Sequence, residues 1–254
     1  MIKRLICKLN IEGDDARCIR GDMLQGVLME HINADYAREL HLQGLNPYSQ
    51  YLNLDRDGAY WVIQTLTQQA GQEIIEPLSS PDFTEFHLER LNKQVLISEK
   101  KQSFMLMKDM VNRFYFDKGE RVLSICFLTS TSFKSGGEYV FYPNPRLLFG
   151  SLMRKYSTIC EGITEEDSDT LDSVVENTKI ISYNLRSVYS EIGRIRLPAF
   201  RGTVTLKLSG ADSLINYINF LLRFGEYSGV GIKCSMGMGA IRILEKRERG
   251  VYKT

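Results

Sequence analysis

At 254 residues, with 43% hydrophobic and 25% charged residues, the chain has the make-up of a soluble globular protein with room for one large domain or two ordinary ones. The N-terminus, Met1-Ile-Lys-Arg-Leu-Ile-Cys-Lys-Leu-Asn10, is too broken by charge for a signal peptide, and no apolar run reaches the roughly 18 residues that cross a bilayer. The cysteines (Cys7, Cys18, Cys126, Cys160, Cys234) are odd in number, scattered and without a C-x-x-C pair, which suggests neither a disulfide framework nor a zinc site and points to a reduced, cytoplasmic protein.

In chain order, Ile2–Ile11 reads as a strand with Leu5, Cys7, Leu9 and Ile11 on one face. Asp22 to Leu40 has the apolar spacing of one amphipathic helix. Ser49–Leu54 and Ala59–Leu66 flank Asp57-Gly58 as a hairpin. A second helix is predicted through Gln68–Pro77, then strands around Glu85–Leu91 and Gln94–Ile97. This β-α-β-β-α-β order is that of the ferredoxin-like split βαβ unit. The second half repeats it less regularly. Arg121–Leu128, Thr178–Leu185, Gly202–Leu208 and Ala240–Leu244 read as strands, with helices at Pro145–Tyr156 and Ala211–Phe224. The expected fold is α+β, two tandem ferredoxin-like (RRM-like) domains of residues 1–117 and 118–254, joined near residues 115–120.

Charge is unevenly spread. The net charge of +1 taken alone argues against a nucleic-acid binder. Yet from Gly193 onward eleven Lys or Arg face four acids, a local balance of +7, while residues 161–176 hold seven acids and no base. A charge run is usually a solvated face, so the asymmetry supports a basic C-terminal surface and does not prove one.

Five of the 20 glycines fall between Phe224 and Gly239, where Gly229-Val-Gly231 and Gly237-Met-Gly239 flank Lys233. Glycine admits positive φ and close backbone approach, so the segment could offer several N–H groups to one phosphate. A bulged hairpin is the equal alternative. The spacing fits neither G-x-x-x-x-G-K-[ST] nor G-x-G-x-x-G.

Of the three histidines, His31 and His41 sit late in or just after the first helix, and His87 alternates with Phe86 and Leu88 in a strand, a structural setting. His41 precedes a turn, where catalytic side chains concentrate; a helix-terminal histidine favoured by the macrodipole is the plain alternative. No His/Asp/Glu cluster has metal-ligand spacing, and no G-x-S-x-G elbow is present. One histidine helped by hydroxyls and cations suffices for cleavage of RNA by its own 2′-OH, where the nucleophile already lies beside the phosphate.

The C-terminal run Gly193-Arg-Ile-Arg-Leu-Pro-Ala-Phe-Arg-Gly-Thr-Val-Thr-Leu206, followed by Leu221-Leu-Arg-Phe-Gly-Glu-Tyr-Ser-Gly-Val-Gly-Ile-Lys-Cys-Ser-Met-Gly-Met-Gly239, resembles the terminal signature of the CRISPR-associated repeat-processing endoribonucleases, the sixth Cas group of the RAMP superfamily. Gly26-Val-Leu-Met-Glu30, Ala37-Arg-Glu-Leu-His41 and Asn46-Pro-Tyr-Ser-Gln-Tyr-Leu52 resemble the family's N-terminal segment. Phe127-Leu-Thr-Ser-Thr-Ser-Phe133 and Tyr142–Leu152 resemble its middle motifs. The resemblance implies metal-independent cleavage of repeat RNA to 5′-hydroxyl and 2′,3′-cyclic phosphate ends, with no cofactor and no metal. It assigns His41 as general acid/base, Tyr36, Tyr48 and Ser49 as auxiliary hydroxyls or packing residues, and Gly229, Gly231, Lys233, Gly237 and Gly239 to the RNA loop. The flanking Arg194, Arg196 and Arg201 join the RNA-binding set through the basic surface. Asn46 stands where some relatives carry lysine. The implied partner is precursor CRISPR RNA. Other Cas proteins of an effector or adaptation complex, and a homodimer, are left open; a membrane is not. A non-catalytic RNA-binding subunit of an effector complex is the alternative function.

Overall fold

The computed structural model describes residues 1–11, 13–116, 118–163 and 167–244. The basic residues Lys246, Arg247, Arg249 and Lys253 of the charge count lie outside them. The chain runs β1 Ile2–Asn10, α1 Gly13–Cys18, α2 Gly21–His31, α3 Ala34–Leu42, β2 Tyr48–Asp55, β3 Gly58–Thr65, α4 Gln68–Ala70, a π turn Gly71–Ile75, α5 Glu76–Ser79, β4 Glu85–Leu88 and β5 Lys93–Met105. Then come α6 Met107–Tyr115, β6 Val122–Thr131, β7 Phe133–Ser135, β8 Glu138–Val140, α7 Pro145–Lys155, α8 Ser168–Glu176, β9 Thr178–Ile192, β10 Ile195–Leu208, α9 Asp212–Ser228 and β11 Ile241–Leu244.

Two antiparallel sheets organise these elements. The first has order β2-β3-β1-β5-β4 and the second β11-β6-β10-β9. The first is the ferredoxin-like order with β4 added outside β5. The second is that order without addition, so the fold is the α+β tandem ferredoxin-like arrangement. Leu5, Cys7 and Leu9 of β1, alternating as expected, are buried with Trp61, Ile63, Leu24, Leu28, Ile74 and Phe86. A second core gathers Ile125, Phe127, Phe149, Leu152, Phe200, Val204, Leu221 and Phe224, and Ile2, Leu66 and Met110 from the first half join it. Met110 arrives on α6, which packs along α9.

Several elements depart from the sequence reading. The helix expected over Asp22–Leu40 is two helices. Ile32 is extended (φ −104°, ψ 169°), and the Asn33 side chain accepts from the N–H groups of Asp35 and Tyr36 at 2.9 and 3.2 Å, capping α3. Apolar spacing runs on across the break, which concealed it. The strands expected at Gln94–Ile97, Thr178–Leu185 and Gly202–Leu208 extend to 13, 15 and 14 residues. The added residues of β5 are largely exposed, whereas those of β10 include the buried Leu197, Ala199 and Phe200. Beyond Phe200, the last β10 residue paired with β6, β9 and β10 continue as a two-stranded arm turning at Gly193 (φ +59°).

Candidate nucleic-acid interface

The arm borders a cleft of about 1200 Å³ lined from both sheets. Its floor is the open face of the second sheet. There Arg242 pairs with Cys126, Cys126 with Thr203 and Thr203 with Asn184, and Arg201 stands opposite Arg186. Arg17 and Arg20 come from the first half, Arg196 from the arm, and Leu52 to Asp55 of β2 form one wall. Six arginines therefore line the cleft against two acids, Asp55 and Glu191. Burial, with Arg186 beside it, pulls Arg201 below the ordinary guanidinium value, and Arg201 Nη2 donates to the Leu128 carbonyl. Like charges gathered over low-dielectric walls make a place where an anion is favoured. Arg196 lies over the Tyr189 ring at 4.0 Å, which stiffens the guanidinium on the arm. Arg194 is exposed at the arm's tip.

Arg17, Arg20 and Arg186 escaped the sequence reading, and Arg242 entered it only as a charge. Arg186 was legible in principle, since it shares a face with Asn184 under period-two alternation; ending the strand at Leu185 hid it.

The glycine segment closes one end of this cleft through Met236 and Gly237. It connects α9 to β11 without strand pairing, so the bulged-hairpin expectation fails. Gly229, Gly231, Gly237 and Gly239 all have positive φ, between +64° and +90°. Their N–H groups are spent inside the protein. They donate to Gly225 O (2.9 Å), Ser151 Oγ (2.9 Å), Cys234 O (3.4 Å) and Ser130 O (3.0 Å). An open nest of glycine N–H groups around an anion is therefore not what the loop forms. Its outward feature is Lys233, which is exposed and held left-handed at φ +58°, ψ +33°, with no ion-pair partner among the described residues.

Beneath the loop lies Lys155, which sequence reasoning missed. It is 6% exposed, and its Nζ donates to Ser228 O at 3.2 Å, Gly229 O at 2.9 Å and Cys234 Sγ at 3.0 Å. The loop is also tied to the first sheet. Trp61 Nε1 donates to Gln50 Oε1 at 2.9 Å, and Gln50 Nε2 donates to Ser235 O at 3.0 Å and Gly21 O at 2.7 Å.

His41 is exposed in the last turn of α3, five residues before Asn46, whose Nδ2 donates to Ser235 Oγ at 3.3 Å. The His41 segment and the loop are thus neighbours. His41 Nδ1 lies 2.7 Å from the Ala37 carbonyl, which can only accept, so Nδ1 is the donor, and in the neutral ring the lone pair is then on Nε2. The hydroxyl candidates point inward. Ser49 Oγ donates to Tyr227 O at 2.6 Å, and Tyr48, 1% exposed, accepts from Gln25 at 3.4 Å. Burial, partly offset by hydrogen bonds from Gln25 and Ser235, pushes Tyr48 up to about 12. Burial and then Glu39 and Glu73 also raise Tyr36, which is 5% exposed. His31 Nδ1 bonds the Val27 carbonyl at 2.8 Å, its ring edge-on to Phe83. His87 is exposed on β4, 3.3 Å from Gln94.

A family model described as CRISPR-associated endoribonuclease Cas6 matches residues 125–241. The CRISPR-associated endoribonuclease Cas6 of Mycobacterium tuberculosis (strain ATCC 25618 / H37Rv) is 39% identical over 236 residues, 92% of this chain and 75% of that one. The protein of that name from Streptococcus thermophilus is 37% identical over 229 residues, 88% of this chain and 90% of that one. Among solved structures, a Cas6 product complex is similar with a TM-score of 0.79 at 22% identity, covering 96% of this chain and 100% of that one. Thermus thermophilus Cas6 is similar with a TM-score of 0.69 at 19% identity, covering 96% and 98%. The structural likeness speaks for the fold. With relatives at this identity matched over most of their own length, the chain belongs to the CRISPR-associated endoribonuclease Cas6 family.

Proposed function

We propose that the protein cleaves the repeat sequences of precursor CRISPR RNA without a metal ion. The 2′-OH attacks the adjacent phosphate, leaving a 2′,3′-cyclic phosphate and a 5′-hydroxyl. The observation that carries this reading is the state of His41. With Nδ1–H directed at the Ala37 carbonyl, Nε2 is the nitrogen left for proton transfer, on an exposed ring beside the segment that meets the loop. The neutral ring can take the 2′-OH proton, and the protonated ring can give one to the departing 5′ oxygen.

The RNA supplies its own nucleophile, so the remaining work is in-line orientation and charge stabilisation. Lys233 is the cation best placed to meet the phosphate, since Asn46 cannot supply charge. Arg186, Arg196, Arg201 and Arg242 would track the backbone through the cleft, with Arg194 reaching it from the arm's tip. Gly229, Gly231, Gly237 and Gly239 serve by shape, holding Lys233 outward. Tyr36, Tyr48 and Ser49, turned into the protein, would act by packing behind His41. In this reading the chain divides at residues 117 and 118 into a half that carries His41 and a half that carries the loop. Among the described residues no three His, Cys, Asp or Glu side chains converge as a metal site requires.

The test is repeat RNA from the array beside the gene, incubated in EDTA. Cleavage is expected in EDTA and should stop when the nucleotide before the scissile bond is 2′-deoxy. An absolute Mg²⁺ requirement, or full cleavage of the deoxy substrate, would sink the mechanism. Tight binding with no cleavage would favour the non-catalytic effector subunit.

A further inference from the structure

Lys155 is a charge in a place where charge is costly. A lysine stem on α7 would pack as well if it ended in a methyl group, yet this one ends in an ammonium sealed from solvent. Its three protons meet three acceptors, Ser228 O, Gly229 O and Cys234 Sγ. The first two are carbonyls at the C-terminal end of α9, a 17-residue helix whose negative dipole end favours a cation. The third lies next in sequence to Lys233. The Cys234 thiol in turn reaches Val230 O at 3.4 Å. One ammonium therefore joins the helix end, the first glycine pair and the turn that follows Lys233.

Lys233 itself needs such support. A side chain in the left-handed region persists only where its surroundings over-determine it. Its carbonyl accepts from Met236 N at 2.9 Å and Met238 N at 3.2 Å, which fixes the turn on its far side. Lys155 fixes the near side.

We propose that Lys155 is a positioning residue for RNA capture, acting through the loop to hold Lys233 toward the phosphate. Lys155 is too deeply buried to touch RNA, so any effect it has on phosphate contacts must pass through another group. The proposal rests on the RNA-cleaving reading above and adds to it the residue that shapes the loop.

The experiment measures Kd against salt concentration for Lys155→Met, Lys233→Ala and the double variant. All are made in a His41→Ala background so that repeat RNA binds without turnover. Losing one phosphate contact lowers the salt slope by about one unit. The expected result is that Lys155→Met, though it removes no surface charge, lowers the slope by about one, as Lys233→Ala does. The double variant should bind no more weakly than the weaker single, the non-additivity of residues acting as one unit. A Lys155→Met slope equal to that of the parent would overturn the proposal, as would multiplying effects in the double variant. If Lys155→Met loses its cooperative melt, Lys155→Arg carries the same test, because a guanidinium cannot reproduce the three-acceptor cradle. A parent protein that does not bind repeat RNA at all would defeat the functional reading instead, and is told apart by that.

Discussion

Asp22 Oδ2 accepts the Gly193 N–H at 2.8 Å, joining the first turn of α2 to the tip of the β9–β10 arm across 171 residues of sequence. The carboxylate is 7% exposed and is also held by Arg20 Nε at 3.1 Å and Arg90 Nη1 at 2.8 Å. Arg20 reaches on to Glu191 of the arm at 3.0 Å. The arm, which has no sheet neighbour beyond Phe200, is thus anchored at its far end by one acid and its two arginines.

Replacing Asp22 by Ala should release the tip and leave two arginines without their shared partner. The expected cost is about 1.5–3 kcal/mol, the range for hydrogen bonds to charged groups. Trypsin should then cut faster after Arg194 and Arg196. An unchanged digestion pattern would mean that the arm is held by the packing of its Leu197 and Ala199 on Met238 of the glycine segment alone.

His41→Ala should slow single-turnover cleavage by about 10²–10⁴, the usual range for a lost general acid/base, with Kd for repeat RNA little changed. His87→Ala, on the edge strand, should leave the rate where it is. A rate that depends on His31 instead would place the chemistry at the wrong helix end, against the Val27 carbonyl and Phe83.

Gly231→Val should both destabilise and weaken RNA binding. A Cβ there would meet Ser132 O at 2.3 Å, and φ is +74°. Strain of this kind costs on the order of 1–3 kcal/mol before the clash is counted. Thermal melting and RNA titration together check it; wild-type values in both would mean that the loop tolerates side chains its geometry says it cannot.

Stability should fall in alkali. Burial raises Cys7 from 9.0 to about 12 and Tyr48 from 10.0 to about 12; burial, then Glu161 and Cys160, take Tyr156 to about 12. Each is favoured in its neutral form when folded. The unfolded chain loses these protons at lower pH, so the stabilisation is complete below about pH 9 and drains away between 9 and 12. A melting temperature that stays level up to pH 11 would contradict this.

The strands of both cores were legible because alternation of Leu5, Cys7 and Leu9, or the apolar run through Ile125 and Phe127, is a local signal. The break between α2 and α3 was legible too, since Asn33 followed by Asp35 is a helix start, but continuous apolar spacing outvoted it. The arm was legible only in part: Leu197 and Ala199 alternate as a half-buried strand does, while the facing β9 residues from Arg186 to Glu191 are mostly exposed and give no such signal. Lys155 was out of reach for another reason. A lysine on an amphipathic helix reads as a surface residue, and only the arrival of the α9 carbonyls from 73 and 74 residues away makes it internal.

The two halves of the molecule meet backbone to backbone where Gly21 faces the loop. A Cβ on Gly21 would come within 2.3 Å of Met236 O, and one on Gly237 within 2.7 Å of the Gly21 Cα. Two missing side chains therefore set the gauge of the cleft at its smallest value. Any substitution at either position acts as a shim and can only wedge the sheets apart. The groove is built at its lower stop, so a side chain added at this joint can widen it but not narrow it.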